Sequence, residues 1–340
     1  MAIGSGLGSI VGYEPESTYG TTQTPVTNFL EAKKVSIVPS VQHMESPALR
    51  YGTKVLRADR QVVNRKGAAG DIDLDVTSNN MARWWRHAMN DDRAFSTIKT
   101  TAAASVYLYT YNIGDPAACP SMTIQRGISD STGTLRRMDA VGAFIQSWQL
   151  QNKIDGILEA SFSVDARDDT PSASAPTTAT YSATSEVLTF AGGVATVAGT
   201  TTNVKSVDLK CQMGMALDRY QISGSTLKSR PILDKMTEIT GTVELEFGYA
   251  PGTWATSDLV SKYRAGTTIA FDATWTGATA IASTYYPFLE ATATSAMITK
   301  ADVTIDGPGI VMMSVDFKIL DDGSNPPLVL KYQSSENITS

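Results

Sequence analysis

Two segments of the chain place a glycine before three apolar residues that alternate with polar, mostly acidic ones. Residues 70–76 read GDIDLDV, and residues 241–247 read GTVELEF. A period of two is typical of a strand with one buried and one wet face, because successive side chains point to opposite sides of a sheet. The repeated pattern therefore predicts antiparallel sheets in which residues 72, 74, 76, 243, 245 and 247 face a core.

A short helix is predicted after each of these strands. Apolar residues of 81–89 fall at helical spacing, and Asn79 and Asn80 are candidate caps. The second helix covers 259–263, with Ser257 and Asp258 as caps and Gly266 as its end. Each half then closes with an Asp-Gly pair between alternating runs, which predicts a hairpin turn.

The order of these signals is the same in both halves, which predicts a mainly β fold of two tandem β-sandwich or half-barrel units, each with one short flanking helix. Between the units lies a stretch rich in Pro, Ser, Ala and Thr, typical of a linker. Residues 100–119 fit no element. The expected organisation is an N-terminal arm 1–32, a first unit 33–169, a linker 170–185, a second unit 186–332 and a C-terminal tail 333–340.

Composition argues against several functional classes. The net charge is -6 and charged residues make up 18%, with no basic cluster of the kind that grips nucleic acid. Cys119 and Cys211 are too few for a disulfide framework and are expected to be buried free thiols. His43 and His87 have no partners at ligand or triad spacing, so no metal, cofactor or catalytic site is expected. Without a signal peptide pattern or a long apolar run, the chain is expected in the cytoplasm when made.

The acidic residues of the alternating strands form the main candidate site. Asp71, Asp73 and Asp75 share one face, and Glu244 and Glu246 hold matching positions in the second segment. From the residues alone, two interpretations stay open: a calcium site or a simple solvated face.

Several segments, which follow one another along the chain, resemble segments of the major tail, or tail tube, proteins of phages with long non-contractile tails. The first includes Gly12-Tyr-Glu14, the fourth Pro120-Ser-Met, and the last Ser314-Val-Asp-Phe317. No one segment is specific, but their order along nearly the whole chain is. The similar segments are 12–21, 45–50, 85–88, 120–124 with 142–144, 187–199, 204–207 and 306–317.

This resemblance implies a virion protein that polymerises as stacked rings into a tube through which DNA passes without specific binding. A chain with two units would form a ring of three, with pseudo-sixfold symmetry. The implied partners are further copies, the tape-measure, tail-terminator and distal tail proteins. As a third interpretation of the acids above, the resemblance implies that they line the lumen, where a like-charged wall would repel phosphate and let DNA slide past. Two irregular stretches, 43–69 and 218–240, are predicted, and at least the first is predicted to reach a neighbouring subunit or the adjacent ring. The inter-ring loop of the first stretch includes Arg50, Arg57, Arg60 and Arg65. The alternative is a tandem immunoglobulin-like adhesion or surface-layer protein.

Overall fold

The structure, a computed structural model, describes residues 6–48, 50–201, 204–247, 258–305 and 307–338. The described part is mainly strand, which confirms the predicted fold class. Its first-half strands are β1 Ile10–Pro15, β2 Asn28–Leu30, β3 Ala32–Val35, β4 Val38–Glu45, β5 Gln61–Asp75, β6 Lys99–Ala103, β7 Val106–Asn112, β8 Met122–Ser129, β9 Leu135–Lys153, β10 Glu159–Ala166 and β11 Asp168–Ser172. The second half holds β12 Gly193–Val197, β13 Thr200–Thr201, β14 Val204–Gln212, β15 Met215–Ala216, β16 Ile232–Leu233, β17 Glu238–Glu246, β18 Thr268–Thr276, β19 Phe288–Thr304, β20 Met312–Ile319 and β21 Val329–Ser334. The helices are α1 Ala82–Ala88, α2 Phe95–Ile98 and α3 Leu259–Ala265.

One antiparallel sheet runs through both halves of the chain. β3 and β4 lie end to end along β5, which is followed by β10 and the C-terminal half of β9. β9 then pairs with β14, the first strand of the second half in this sheet. The order continues through β17 and β20 to the C-terminal half of β19. We call this eight-position array the through-sheet.

The two longest strands pass from the through-sheet into a second layer. The N-terminal half of β9 pairs with β8 and β11, and that of β19 with β18 and β21. Gly142 lies within β9 where the strand changes sheets, with φ +63. A Cβ at this position would lie 2.8 Å from atoms of Arg167 and Tyr19, so both the conformation and the space favour glycine.

Strand pairing follows the same order in the two halves. β17, β20, β19, β18 and β21 are linked to one another as β5, β10, β9, β8 and β11 are. Gly70 lies opposite Val164, and Gly241 lies opposite Phe317. Val164 and Phe317 each adjoin a register shift in their pairing with the following strand, β9 and β19 respectively. These pairings define which positions of the two halves are equivalent.

Aromatic side chains fill the space between α1 and the sheets. Trp84 and Trp85 are fully buried, and each ring centroid lies 5.4 Å from that of Phe162 on β10. Tyr13 of β1 covers Trp84 from the other side, at 4.9 Å. The predicted docking of the two tryptophans on a sheet is therefore confirmed.

Both predicted helices are present, but the first is capped differently from the prediction. Asp258 caps α3 by accepting from the Ser261 N–H, and Gly266 ends it in the left-handed region. Ser257 lies outside the described residues. The predicted cap at Asn79 and Asn80 is wrong, because α1 has no side-chain cap from its own segment.

Several segments differ from their sequence-based assignment. The predicted irregular stretch 43–69 is wrong at both ends, since β4 and β5 form a long hairpin and pair up to Glu45 and Gln61. Residues 106–112, which fitted no element, form β7 and pair with β21. Strands also occur in the predicted arm, linker and tail, as β1, β2, β11 and the end of β21. The expected hairpin turns are present at Asp155 and at Gly307, although Asp306 is not described.

The thiols of Cys119 and Cys211 are free and buried, as predicted. Burial raises the pKa of each thiol to about 12, so both stay protonated at neutral pH. Cys211 lies in the ladder between β14 and β9, opposite Trp148. It therefore acts as a small apolar side chain in the core.

The C-terminal segment holds the missing cap of α1. The Glu336 side chain accepts from the Ala82 N–H at 3.0 Å, and the Tyr109 hydroxyl donates to the Glu336 carbonyl oxygen at 2.6 Å. Burial raises the pKa of Glu336 to about 7, and the backbone N–H donors around it offset this only in part. The end of the second half is thus fixed to the helix of the first.

We expect the Glu336→Gln variant to have a flatter dependence of stability on pH than the natural chain. The raised pKa means that stability from the neutral carboxyl is fully present below about pH 4.5 and is lost as pH rises through 7. The loss expected for the natural chain is roughly 3 kcal/mol. Urea unfolding at several pH values between 4.5 and 8.5 measures it. Equal slopes for the two proteins would contradict the assignment.

Candidate functional site

One face of the through-sheet is polar along complete rows of neighbouring residues. The row that contains Asp73 crosses seven strands, and each of its positions carries a polar side chain. From strand to strand across the sheet, this row is Lys34, Asp73, Ser161, Gln149, Lys210, Thr240 and Lys318. The row beside it is Asp75, Glu159, Gln151, Asp208, Thr242, Asp316 and Lys300.

All five predicted acids lie on this polar face. Asp71, Asp73 and Asp75 are half-buried on β5, opposite to the buried Ile72, Leu74 and Val76, as the alternation predicted. Glu244 and Glu246 lie on β17. Four strand spacings, or about 19 Å, separate the two groups across the sheet. The sheet therefore brings the two acidic strands onto one surface but does not bring them into contact.

Lysines of the same chain pair with three of the five acids. Lys33 lies 3.1 Å from Asp75, and Lys34 lies 3.8 Å from Asp73. In the second half Lys205 lies 2.6 Å from Glu246. Lys33 and Lys205 occupy equivalent positions at a register shift, as do their acidic partners. The same ion pair is thus present in both halves.

The polar face is mixed in charge with a small acidic excess. Among the described residues it carries ten carboxylates and seven lysines, a net charge of -3. The carboxylates are Asp71, Asp73, Asp75, Glu159, Asp208, Glu238, Glu244, Glu246, Asp302 and Asp316. The lysines are Lys33, Lys34, Lys153, Lys205, Lys210, Lys300 and Lys318. Sequence reasoning missed the lysines beside the predicted acids, since Lys33, Lys34 and Lys205 each lie on a different strand than their acidic partners.

A hairpin arm projects from the edge of the through-sheet. We use this name for the described residues from Val38 to Arg65, which comprise β4, a loop and the first part of β5. All eight residues of β4 are exposed. The arm carries five Arg or Lys and two acidic residues, a net charge of +3. Its exposed large apolar side chains are Val38, Val41, Met44, Tyr51, Val55, Leu56, Val62 and Val63.

The four predicted arginines lie on this arm in different settings. Arg57 pairs with Asp59 inside the loop. Arg65 lies 3.3 Å from Asp218 and places its guanidinium 4.8 Å from the ring centroid of Tyr220. Arg50 and Arg60 are exposed, without an ion-pair partner in the described residues. Arg57 and Arg65 therefore make contacts within the chain, whereas Arg50 and Arg60 are available to a partner.

The base of the arm is held by the segment that follows β14. The Tyr220 hydroxyl donates to the Lys66 carbonyl oxygen at 2.8 Å, and the Lys66 N–H donates to Thr226. Lys228 is buried and pairs with Asp165 of β10. Burial raises the pKa of Asp165 by more than the nearby Lys228 lowers it. The two long connections predicted from the sequence therefore pack against each other at the root of the arm.

In the described ranges, no three His, Cys, Asp or Glu side chains are placed to hold a metal ion. Burial lowers the pKa of His87 to about 3, and the imidazole packs edge-on to Tyr13. His43 lies on the exposed β4. The distinctive features are therefore the surfaces, a broad polar sheet face and an apolar, basic arm.

A family model described as phage tail tube protein matches residues 6–319. The chain belongs to the phage tail tube protein family. No curated protein matches the chain. Membership makes this tail tube protein a structural component of the phage tail, in agreement with the resemblance noted in the sequence. In the described ranges, this tail tube protein has no helix long and apolar enough to cross a membrane.

We expect Leu209→Ala to destabilise the tail tube protein by about 2–5 kcal/mol. Leu209 is fully buried on β14 and lies opposite Leu150 of β9, at the joint between the halves. The exposed neighbour Lys210 serves as control, and Lys210→Ala is expected to change stability by less than about 0.5 kcal/mol. Urea unfolding measures both. Similar stabilities for the two variants would show that the joint is not tightly packed.

Proposed function

We propose that this protein polymerises as stacked rings into the tail tube and that its through-sheet forms the inner wall. The observation that carries the proposal is the continuous sheet with one dry and one polar face. A sheet with one polar face must turn that face to solvent, and in the proposed tube wall this solvent is the water in the lumen. Closing the sheet around a ring would also remove its exposed edges.

Three chains would suffice for a ring of useful width. The shared pairing order supports two copies of one unit in each chain, and each chain contributes eight strand positions. Twenty-four strands at about 4.8 Å give a circumference of about 115 Å and a diameter of about 37 Å, which strand tilt increases. Such a barrel leaves an open channel, and we propose that genome DNA passes through it.

The polar face suits a channel that must not retain DNA. Its small acidic excess repels phosphate, and the built-in lysines keep that repulsion moderate. Asp71, Asp73, Asp75, Glu244 and Glu246 are the acids we place in the lumen. Repetition around a ring and along a stack makes their summed field matter more than any single carboxylate.

We assign the arm to contacts between rings. Its apolar side chains are exposed on both faces of the hairpin, which is costly for a free surface and typical of an interface. The exposed Arg50 and Arg60 add positive charge that the acidic remainder of a neighbouring copy can pair with. The tape-measure, tail-terminator and distal tail proteins are the proposed partners at the ends and interior of the tube. Assembly would follow synthesis in the host cytoplasm, and no catalytic role is proposed.

We expect Val55→Asp with Leu56→Asp to abolish tube formation without unfolding the chain. Val55 is 79% exposed and Leu56 also lies on the surface of the arm, so the change alters a contact rather than the core. Electron microscopy and sedimentation of the purified proteins measure assembly, and circular dichroism measures the fold. The matched control is Ser46→Asp with Thr53→Asp, which adds the same charge at exposed polar positions of the same loop. Failure of the unaltered chain to form rings or tubes at any concentration would overturn the proposed function.

Neutralising the five lumen acids is expected to make tubes bind duplex DNA. Asp→Asn and Glu→Gln changes at these positions shift the net charge of the polar face from -3 to +2 in each chain. Electrophoretic retention of DNA by purified tubes, compared over a salt series, measures the effect because phosphate binding weakens with salt. The control neutralises five acids away from this face, namely Asp92, Asp115, Asp168, Asp234 and Asp321. Equal retention by the two variants would remove these acids from the lumen.

A further inference from the structure

The through-sheet ends in two strand edges that pair with no further strand in the described residues, although the Ile37 carbonyl oxygen on the second edge accepts from the Arg126 guanidinium. One is the C-terminal half of β19, which pairs with β20 on one side only. The other is the line of β3 and β4, which pairs with β5 on one side only. An unpaired edge exposes N–H and C=O groups that another strand can satisfy.

The chain already contains a joint between the equivalents of these two edges. β9 is equivalent to β19 and β14 is equivalent to β3 with β4, and β9 pairs with β14 over seven residues. The bulges match as well, with Gln146 and Thr299 as the extra residues beside β10 and β20. The internal joint is therefore a template for a joint between chains.

Burial differs sharply between the joined strand and its free equivalent. Leu150 of β9 is 0% exposed, whereas Val303 at the same position of β19 is 38% exposed. Asn152 is 7% exposed, whereas Ile305 at its equivalent position is 75% exposed. These two apolar side chains lie on the core side of the sheet, and no described strand covers the side of them that faces away from β20. An edge strand with uncovered core-side residues is poorly soluble alone, which favours a protein strand as the occupant.

We infer that the free half of β19 pairs with β3 and the start of β4 of a second copy, in the register of the internal joint. That register places Ile305 opposite Val35, Thr304 opposite Ser36, and Val303 opposite Ile37 of the partner. Two residues beyond Ile37, Pro39 has no N–H to donate, so the ladder between the chains is short. This inference rests on the proposed function and adds to it the strands, the direction and the register of ring closure.

The pairing is head-to-tail, with a different edge contributed by each side. Every ring member then uses one edge of each kind, and the last member meets the first. The joint between chains would repeat the joint within the chain, so strand spacing stays uniform around the wall. Uniform spacing is what a closed barrel of fixed strand number requires.

Disulfide trapping tests the register directly. Thr304→Cys combined with Ser36→Cys should cross-link neighbouring chains in assembled rings under mild oxidation. In the internal joint, the equivalent residues Gln151 and Asp208 are a directly opposed pair. Directly opposed residues lie close enough for a disulfide bond. The native thiols are buried, so they give little background.

The matched control moves one cysteine four residues along the same edge. Ser40→Cys with Thr304→Cys uses the same residue types, but the sulfurs would be about 13 Å further apart along the strand. We expect covalent dimers and trimers on denaturing gels for the first pair and monomers for the second. Tubes that assemble without cross-links from the first pair, or with equal cross-links from both, would overturn the pairing and leave the proposed function standing. Absence of rings or tubes from the unaltered chain would overturn both.

A second measurement does not depend on cysteines. Ile305→Lys should raise the protein concentration required for assembly at least tenfold, because it places a charge on the core side of the joint. Thr304→Lys on the other face of the same strand should assemble normally, since that side faces water in the ring. Equal assembly by both variants would also overturn the pairing.

Discussion

The pairing of β9 with β14 is the contact on which the rest of the structure depends. It converts two sheets of separate halves into one surface, and it buries Leu150 and Leu209 against the second layer. The indole N–H of Trp275 donates to the Asn152 side chain at 3.2 Å, so the second layer is tied to the joint as well. Because strand alternation is carried across the ladder, every row keeps its polar or apolar character over the full width of the sheet. Without this joint the chain would have two narrow sheets and two more open edges.

Local patterns in the sequence were sufficient to predict individual strands and helices, but not to predict which strands pair with each other. The alternation at 70–76 and 241–247 predicted two strands and which residues face the core, since period two is a local property. The same holds for α1, where Trp84 and Trp85 lie on the buried face. The pairing of β7 with β21 joins residues more than two hundred positions apart, and no local signal encodes such a contact. The stretch that forms β7 accordingly fitted no element.

The candidate site was predicted in part for similar reasons. The sequence identified the acids, but not that Lys33 and Lys205 would lie beside them, because each pair joins two strands. The arm was mistaken for an irregular segment because β4 is exposed on both faces and shows no alternation. The cap of α1 comes from Glu336, 254 residues after the Ala82 N–H that it accepts from. Interactions between distant residues thus account for most of what the sequence did not predict.

The exposed apolar residues of this chain are not scattered evenly. A large share lies on the arm. Val303 and Ile305 lie on or directly after the free half of β19, and Ile310 lies shortly before β20. Elsewhere the through-sheet covers its apolar rows on one side and presents ion pairs and hydroxyls on the other. A free monomer would gain nothing from leaving these two places uncovered, whereas a polymer needs contacts in two directions, around the ring and along the tube. In the proposed assembly, the two surfaces would each serve one direction of growth, and the low content of charged residues would fit the area that assembly removes from water.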